Sequence, residues 1–430
     1  MSASLIPRRA SGASRVCEPS SQVESYFYTG GLRAEFRWLW SAPPMLTLHL
    51  LCGSALPQPT HTTSKLSLPR RDLGAATAHG LSFFAGGCTT TGTGIATQFI
   101  CDDASDVIDV VSPNGTLLAV RATLTEARGW AAGCSSGDLI VFAGGGRKGT
   151  EPHSRTADVM NATTLETVGH PDALSEGRWG IGCAAVDGNI YFTGGKVTIN
   201  GYQDVYMSRM VDMFSSADKS WSLAPFNLTG GRESTVALAV PPKSEGGQTA
   251  LVVAGGWHKQ QTYGPESAID FFLQPLATGG GLVPGLQLAA PAYDVGAAVG
   301  ADGHVYLVGD KYLTVLSPNG ELVRNSALPA AMVGQRASPA GGGAVPRSRL
   351  PHNGARVGRR VCFYGASPST LFCHDTSTGQ WEKGLACAAE HTGGSMTAPG
   401  GGVILVAGGY DQRSPVFATT PVIDIFRFEE

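Results

Sequence analysis

An all-β fold is what this 430-residue sequence predicts: a seven-bladed β-propeller of four-stranded antiparallel blades, closed by an N-terminal strand that completes the last blade. Three observations predict it. A short apolar run ending in Gly-Gly recurs along the chain, a strand of small residues precedes each run, and a strand marked by Ile or Val followed by Asp comes after it. Composition agrees, because 58 glycines with only 15% charged residues describe a turn-rich β protein.

In chain order, residues 1–63 come first and read as a disordered extension, mixing Ser, Arg and Pro without periodicity. Within it, 38–57 (WLWSAPPMLTLHLLCGSALP) has the apolar centre and small-residue end of a signal segment. Residues 64–430 carry the repeat. The apolar runs are LSFFAGG at Leu81, LIVFAGG at Leu139, NIYFTGG at Asn189, LVVAGG at Leu251 and ILVAGG at Ile404, with worn copies VYLVGD at Val305 and VCFYGA at Val361. Their spacing is that of a blade of about 50 residues. Small residues in the first strand (WAAGC, GIGC, VGAAV, GGSM) suit the crowded centre of a ring. The third strand holds Asp109, Asp212, Asp270 and Asp424. Asn-Gly at Asn114 and Asn319 supplies hairpin turns to the fourth. The last unit stops after its third strand. SKLSLP, Ser64–Pro69, is expected to supply the fourth and remove an open sheet edge.

These residues resemble the Kelch repeat: an apolar strand, Gly-Gly, a polar loop, an Asp-bearing strand and, in two units, a closing Trp at Trp221 and Trp381. The resemblance spans roughly 64–430 and implies a Kelch-type seven-bladed propeller. It implies no single function, since the family includes ligand adaptors, actin binders and a few enzymes. In similar adaptors an arginine between the fourth strand of one blade and the first of the next contacts acidic peptides. Carried over, that role falls on Arg128 and Arg178, with Arg71 and Arg232 completing the set and His391 at the corresponding place in the last unit.

Loops between the second and third strands are long and rich in aromatic and basic residues, which marks their face as the binding surface. Tyr202, Trp257, His258, Tyr263 and Tyr410 join the ligand-binding candidates. The recurrent Asp residues are expected to accept structural hydrogen bonds. No P-loop or HExxH motif is present, and no catalytic residue, metal site or cofactor is predicted. The expected function is recognition of a protein, peptide or glycan by a monomer. The alternative is a carbohydrate-active propeller, either mutarotase-like and recruiting Glu151 or Glu266, or a copper oxidase. A net charge of −3 without a long basic run argues against nucleic acid, and no stable membrane span is predicted. Cys88 with Cys101 and Cys362 with Cys373 are candidate disulfides, whereas Cys134 and Cys183 read as small hydrophobes. Sequons at Asn114, Asn161 and Asn227 favour a secreted or endomembrane-lumen protein over a cytoplasmic one.

Overall fold

Each apolar run has a partner strand available on both sides, and in the computed structural model every repeat closes into an antiparallel sheet. The structure describes residues 58–429 except 90–100, 102, 119–121, 148–152, 200–203, 243–248, 260–262, 275, 334–353, 367–368 and 411–417. Of the extension expected to be disordered, residues 1–57, with the signal segment at 38–57, lie outside the described residues.

The result is a seven-bladed β-propeller. Strands a to d of blade 1 are Gly74–Ala78, Leu81–Ala85, Val107–Val111 and Ala122–Thr123. Blade 2 has Ala132–Ser136, Leu139–Ala143, Ala157–Asn161 and Thr167–His170, and blade 3 has Gly182–Val186, Asn189–Thr193, Val211–Ser215 and Ser220–Leu223. Blade 4 has Val236–Val240, Ala250–Ala254 and Tyr263–Leu273, with strand d split into Gly281–Val283 and Gln287–Ala292. Blade 5 has Gly296–Val299, Val305–Val308, Tyr312–Leu316 and Leu322–Ala327. Blade 6 has Gly354–Val357, Arg360–Ala366 and Ser369–Asp375, its strand d again split, into Gln380–Trp381 and Leu385–Ala386. Blade 7 joins Ser395–Gly400, Val403–Ala407 and Val422–Arg427 to Thr60–Lys65 from the start of the propeller.

Strand a of each blade lies against strand a of the next, all the way round from blade 7 to blade 1. That contact explains the small residues. A Cβ on Gly133 would stand 2.5 Å from the Ala75 carbonyl and 2.8 Å from the Phe142 ring. The core is correspondingly divided among the seven blade interfaces. Phe83 and Ile108 of blade 1 meet Ile140 and Phe142 of blade 2, and at the other end Leu405 and Ile425 of blade 7 meet Leu73 and Phe84 of blade 1. No blade could bury both faces alone, which is the physical reason for the repetition. Trp221 packs on Phe192 and Phe214 at the rim of blade 3, and Trp381 packs on Phe363 and His374 in blade 6.

Closure differs in detail from the expectation. Thr60–Lys65 pairs with Val422–Arg427 in the register Thr60↔Arg427 to Lys65↔Val422, so the strand starts four residues earlier than Ser64–Pro69 and includes the end of the assigned extension. The four residues Thr60–Thr63 are strand because their backbone completes the ladder, although THTTSK carries no apolar alternation for the sequence to reveal.

Candidate functional site

The diglycines and the lead-in arginines form one device. Both glycines after strand b have positive φ, 65° and 100° at Gly144 and Gly145, a region that only glycine occupies without strain. The Gly145 N–H donates to the carbonyl of Arg178 at 3.0 Å, and Gly87, Gly195 and Gly409 donate likewise to Arg128, Arg232 and Arg70. A Cβ on Gly144 would lie 2.6 Å from that Arg178 carbonyl. Each diglycine therefore docks the backbone that leads into the following blade.

The arginine side chains turn inward, away from the ligand-contact position that the resemblance implies for them. Arg128, Arg178 and Arg232 are fully buried. Arg128 donates to Asp158 at 2.6 Å and to the Phe142 carbonyl at 3.1 Å, and Arg178 to Asp212 at 2.5 Å and to the Phe192 carbonyl at 3.2 Å. Arg232 does the same with Asp270 and Val253. The carboxylates also cap the d-to-a turn: Asp158 accepts the Thr125 N–H and Asp212 the Ser175 N–H. A guanidinium bonded to a carboxylate and a carbonyl inside the blade has no fork to offer a ligand. Burial lowers the pKa of Arg70 and Arg232, and the carboxylates Asp109 and Asp270 oppose it.

In blade 1 the equivalent residue is Arg70, one position before the predicted Arg71, and it donates to Asp109 at 2.5 Å. In blade 7 it is His391, also fully buried. Its Nε2 meets Asp424 at 2.6 Å and its Nδ1 meets the Gly408 carbonyl at 2.6 Å. A ring with an acceptor beside each nitrogen thus takes the place in this blade that a guanidinium takes elsewhere. Blade 5 has lost both partners together. Ala292 accepts the Gly256 N–H where an arginine would, and Thr314, paired with Leu307, occupies the carboxylate's place.

The pair of residues after the buried side chain comes next on this face, with Trp130, Gly180 and Ser234 half-buried and Arg71, Trp179, Glu233 and Thr392 buried. The first bridges to the residue following the diglycine: Arg71 to Cys88, Gly129 to Gly146, Trp179 to Lys196, Glu233 to Trp257 and Thr392 to Tyr410. The second takes positive φ, at Asp72 (56°), Trp130 (57°), Gly180 (67°), Ser234 (55°) and Gly393 (67°). Neighbouring blades are linked through it, the Trp130 N–H donating to Asp72 at 2.8 Å, Asp72 to Gly393 at 2.6 Å and Ser234 to Gly180 at 2.6 Å. An aromatic arc follows. Trp130 and Trp179 have ring centroids 5.2 Å apart, the Arg71 guanidinium lies 5.6 Å over Trp130, and the Lys196 ammonium lies 5.2 Å over Trp179. His153 continues it beside Trp179, and Trp257 meets Tyr293 at 4.0 Å. Beside the arc, Tyr206 donates to Glu176 at 2.6 Å. Its pKa is pushed up to about 12 by burial and that carboxylate.

Of the predicted contact residues, Trp257 and His258 are half-buried on this face, and Tyr410 is buried against Thr392 and Thr419. Tyr263 pairs its backbone with Lys259, while Tyr202 and Glu151 lie outside the described residues. Glu266 accepts the N–H groups of Ser267 and Ala268. Trp130, Trp179, Lys196 and Glu233 were not singled out from the sequence. Their signal was position, one or two places after a recurrent arginine or just after a diglycine.

Disulfides join Cys88 to Cys101 and Cys362 to Cys373. A third corrects the reading of Cys134 and Cys183: with Cα atoms 6.2 Å apart they link strands a of blades 2 and 3. Among the sequons, Asn114 and Asn227 are exposed, and the Asn161 side chain caps its own turn through Thr163 and Thr164. Among the described residues, Cys387, His391 and Asp424 bring a thiol, a ring nitrogen and a carboxylate oxygen within 4.8 Å of one another. The set does not fit a metal ion. Both His391 nitrogens are already bonded, and both Asp424 oxygens are filled by His61, His391 and the N–H groups of Ala388 and Ala389. No helix among the described residues is long and apolar enough to cross a membrane. Neither a protein-family model nor a curated protein matches this chain.

Proposed function

We propose that this protein is a non-catalytic recognition module, a Kelch-type propeller holding a protein, peptide or glycan over its channel mouth on the face of the b-to-c and d-to-a connections. One observation carries the reading. Trp130 sits at φ 57° where blades 3 and 7 place glycine, and a bulky residue there costs about 1–3 kcal/mol. Strain of that kind persists where a side chain is needed, and this one presents a half-buried indole at one end of an aromatic arc. Trp130→Gly is the test. Folding stability is expected to hold or rise, while binding of whichever ligand is captured from peptide and glycan arrays falls at least tenfold. Unchanged binding removes the mouth from the function.

The three disulfides and the exposed sequons support an oxidising compartment as the site of action. Amino-terminal sequencing of the protein from its native source tests this. A mature chain starting near residue 58 agrees with it, and an intact residue 1 opposes it.

A further inference from the structure

Blade 4 departs from its counterparts at the mouth. Where blade 1 has Arg71, blade 3 Trp179 and blade 7 Thr392, blade 4 has Glu233, 2% exposed. The Glu233 N–H donates to the Trp257 carbonyl at 2.9 Å and the Trp257 N–H to the Glu233 carbonyl at 2.8 Å. Residues that exchange both bonds stand directly opposite, with their side chains on the same side of the ladder. The Trp257 ring in turn meets Tyr293 at 4.0 Å. A carboxylate and two aromatic rings are thus brought together, and among the described residues no hydrogen-bond donor reaches the enclosed Glu233 Oε2.

An enclosed carboxylate oxygen without a donor carries a large desolvation cost, and aromatic faces attract cations. Among the described residues no arginine reaches that oxygen. Arg70, Arg128, Arg178 and Arg232 serve the strand c carboxylates, Arg71 pairs with Asp72, and Arg147 pairs with Glu126 at 2.7 Å.

We propose that Glu233, Trp257 and Tyr293 form a receptor for a cationic side chain, the ammonium of a lysine or the guanidinium of an arginine in a partner polypeptide. The proposal rests on the reading of the mouth as a recognition surface and deepens it by fixing the sign of the ligand's charge. That sign is opposite to the one the arginines suggested from sequence.

Capped oligolysine and oligoarginine, oligoglutamate and a neutral dextran are titrated by calorimetry against the wild-type chain and the isosteric Glu233→Gln variant. The basic oligomers are expected to bind wild type, and Glu233→Gln is expected to lower their affinity at least tenfold while thermal stability holds or rises, since a buried charge has been removed. Equal affinity for both proteins overturns the proposal. So does binding of oligoglutamate or dextran in preference to the basic oligomers; if that binding is lost in Trp130→Gly, the recognition surface stands and only the cation assignment fails. Binding of no probe by the wild-type protein overturns the cation receptor, and unchanged array binding in Trp130→Gly removes the broader reading separately.

Discussion

A buried Arg–Asp pair stabilises a fold weakly against an apolar pair of the same shape, yet removing one partner is severe because it strands the other charge. Arg178 and Asp212 show how this applies here, since the guanidinium also holds the Phe192 carbonyl and the carboxylate also holds the Ser175 N–H. Arg178→Met is expected to cost about 3–5 kcal/mol. Arg178→Met with Asp212→Asn should cost less than the single change, because the amide oxygen still accepts from Ser175 and no unpaired charge is left. Urea denaturation in a double-mutant cycle measures this, and strict additivity would show that the two side chains act separately. The arginines were legible as recurrent residues, and so were most of the carboxylates. Their pairing was not, because they stand 34 residues apart in this blade and meet only through the blade's own pairing. Counting Arg71 in place of Arg70 shifted one blade by a residue. That slip exchanged an inward position for one beside Trp130, whereas the ligand role of the other arginines came from the resemblance to adaptors, and their side chains are buried on strand c carboxylates instead.

At the scale of strands and blades, the diglycine was legible as a sharp turn from its glycines alone. Its second role, docking the next blade's lead-in carbonyl, was invisible because it depends on a neighbour some 30 residues away in the sequence, such as Arg178 for Gly145. The bridge between Cys134 and Cys183 was hidden for a related reason. Two residues at the same repeat position look like copies, and only the lateral contact of adjacent a strands makes them partners. Since their sequence separation is 49, chain-entropy arguments assign the bridge roughly 4 kcal/mol. Cys134→Ser with Cys183→Ser is therefore expected to lower the denaturation midpoint and to free the interface between blades 2 and 3 first. Hydrogen exchange would find Ala132–Ser136 and Gly182–Val186 losing protection ahead of other a strands. A uniform loss across all seven blades would mean that the bridge holds no particular interface.

For the whole ring, the decisive element is the blade assembled from both ends of the propeller. Six ladder positions join Thr60–Lys65 to Val422–Arg427, and His61 adds a side-chain link, its Nε2 on Asp424 at 2.5 Å and its ring stacked on Phe426 at 4.7 Å. Asp424 thus ties the incoming strand to His391 at the lead-in of the same blade. Burial pushes the Asp424 carboxyl up, but the hydrogen bond and charge of His391, the Ala388 N–H and the His61 bond together hold it below its ordinary value. A carboxyl depressed in the folded state stabilises fully above its unfolded pKa, near 3.9, and that stabilisation is lost as pH falls through the lower folded value. Closure should accordingly stay firm from pH 7 to about 5 and loosen below about 4, with Thr60–Lys65 the first strand to exchange its amides. Asp424→Asn should loosen it at neutral pH and abolish the acid dependence, because a neutral amide cannot serve two histidine donors as a carboxylate does. Deleting residues 1–65 goes further and leaves Val422–Arg427 as an open edge, for which self-association measured by sedimentation is the expected result. A deletion variant that stays monomeric, or an Asn variant with wild-type exchange at Thr60–Lys65, would show that the ring holds without its closing strand.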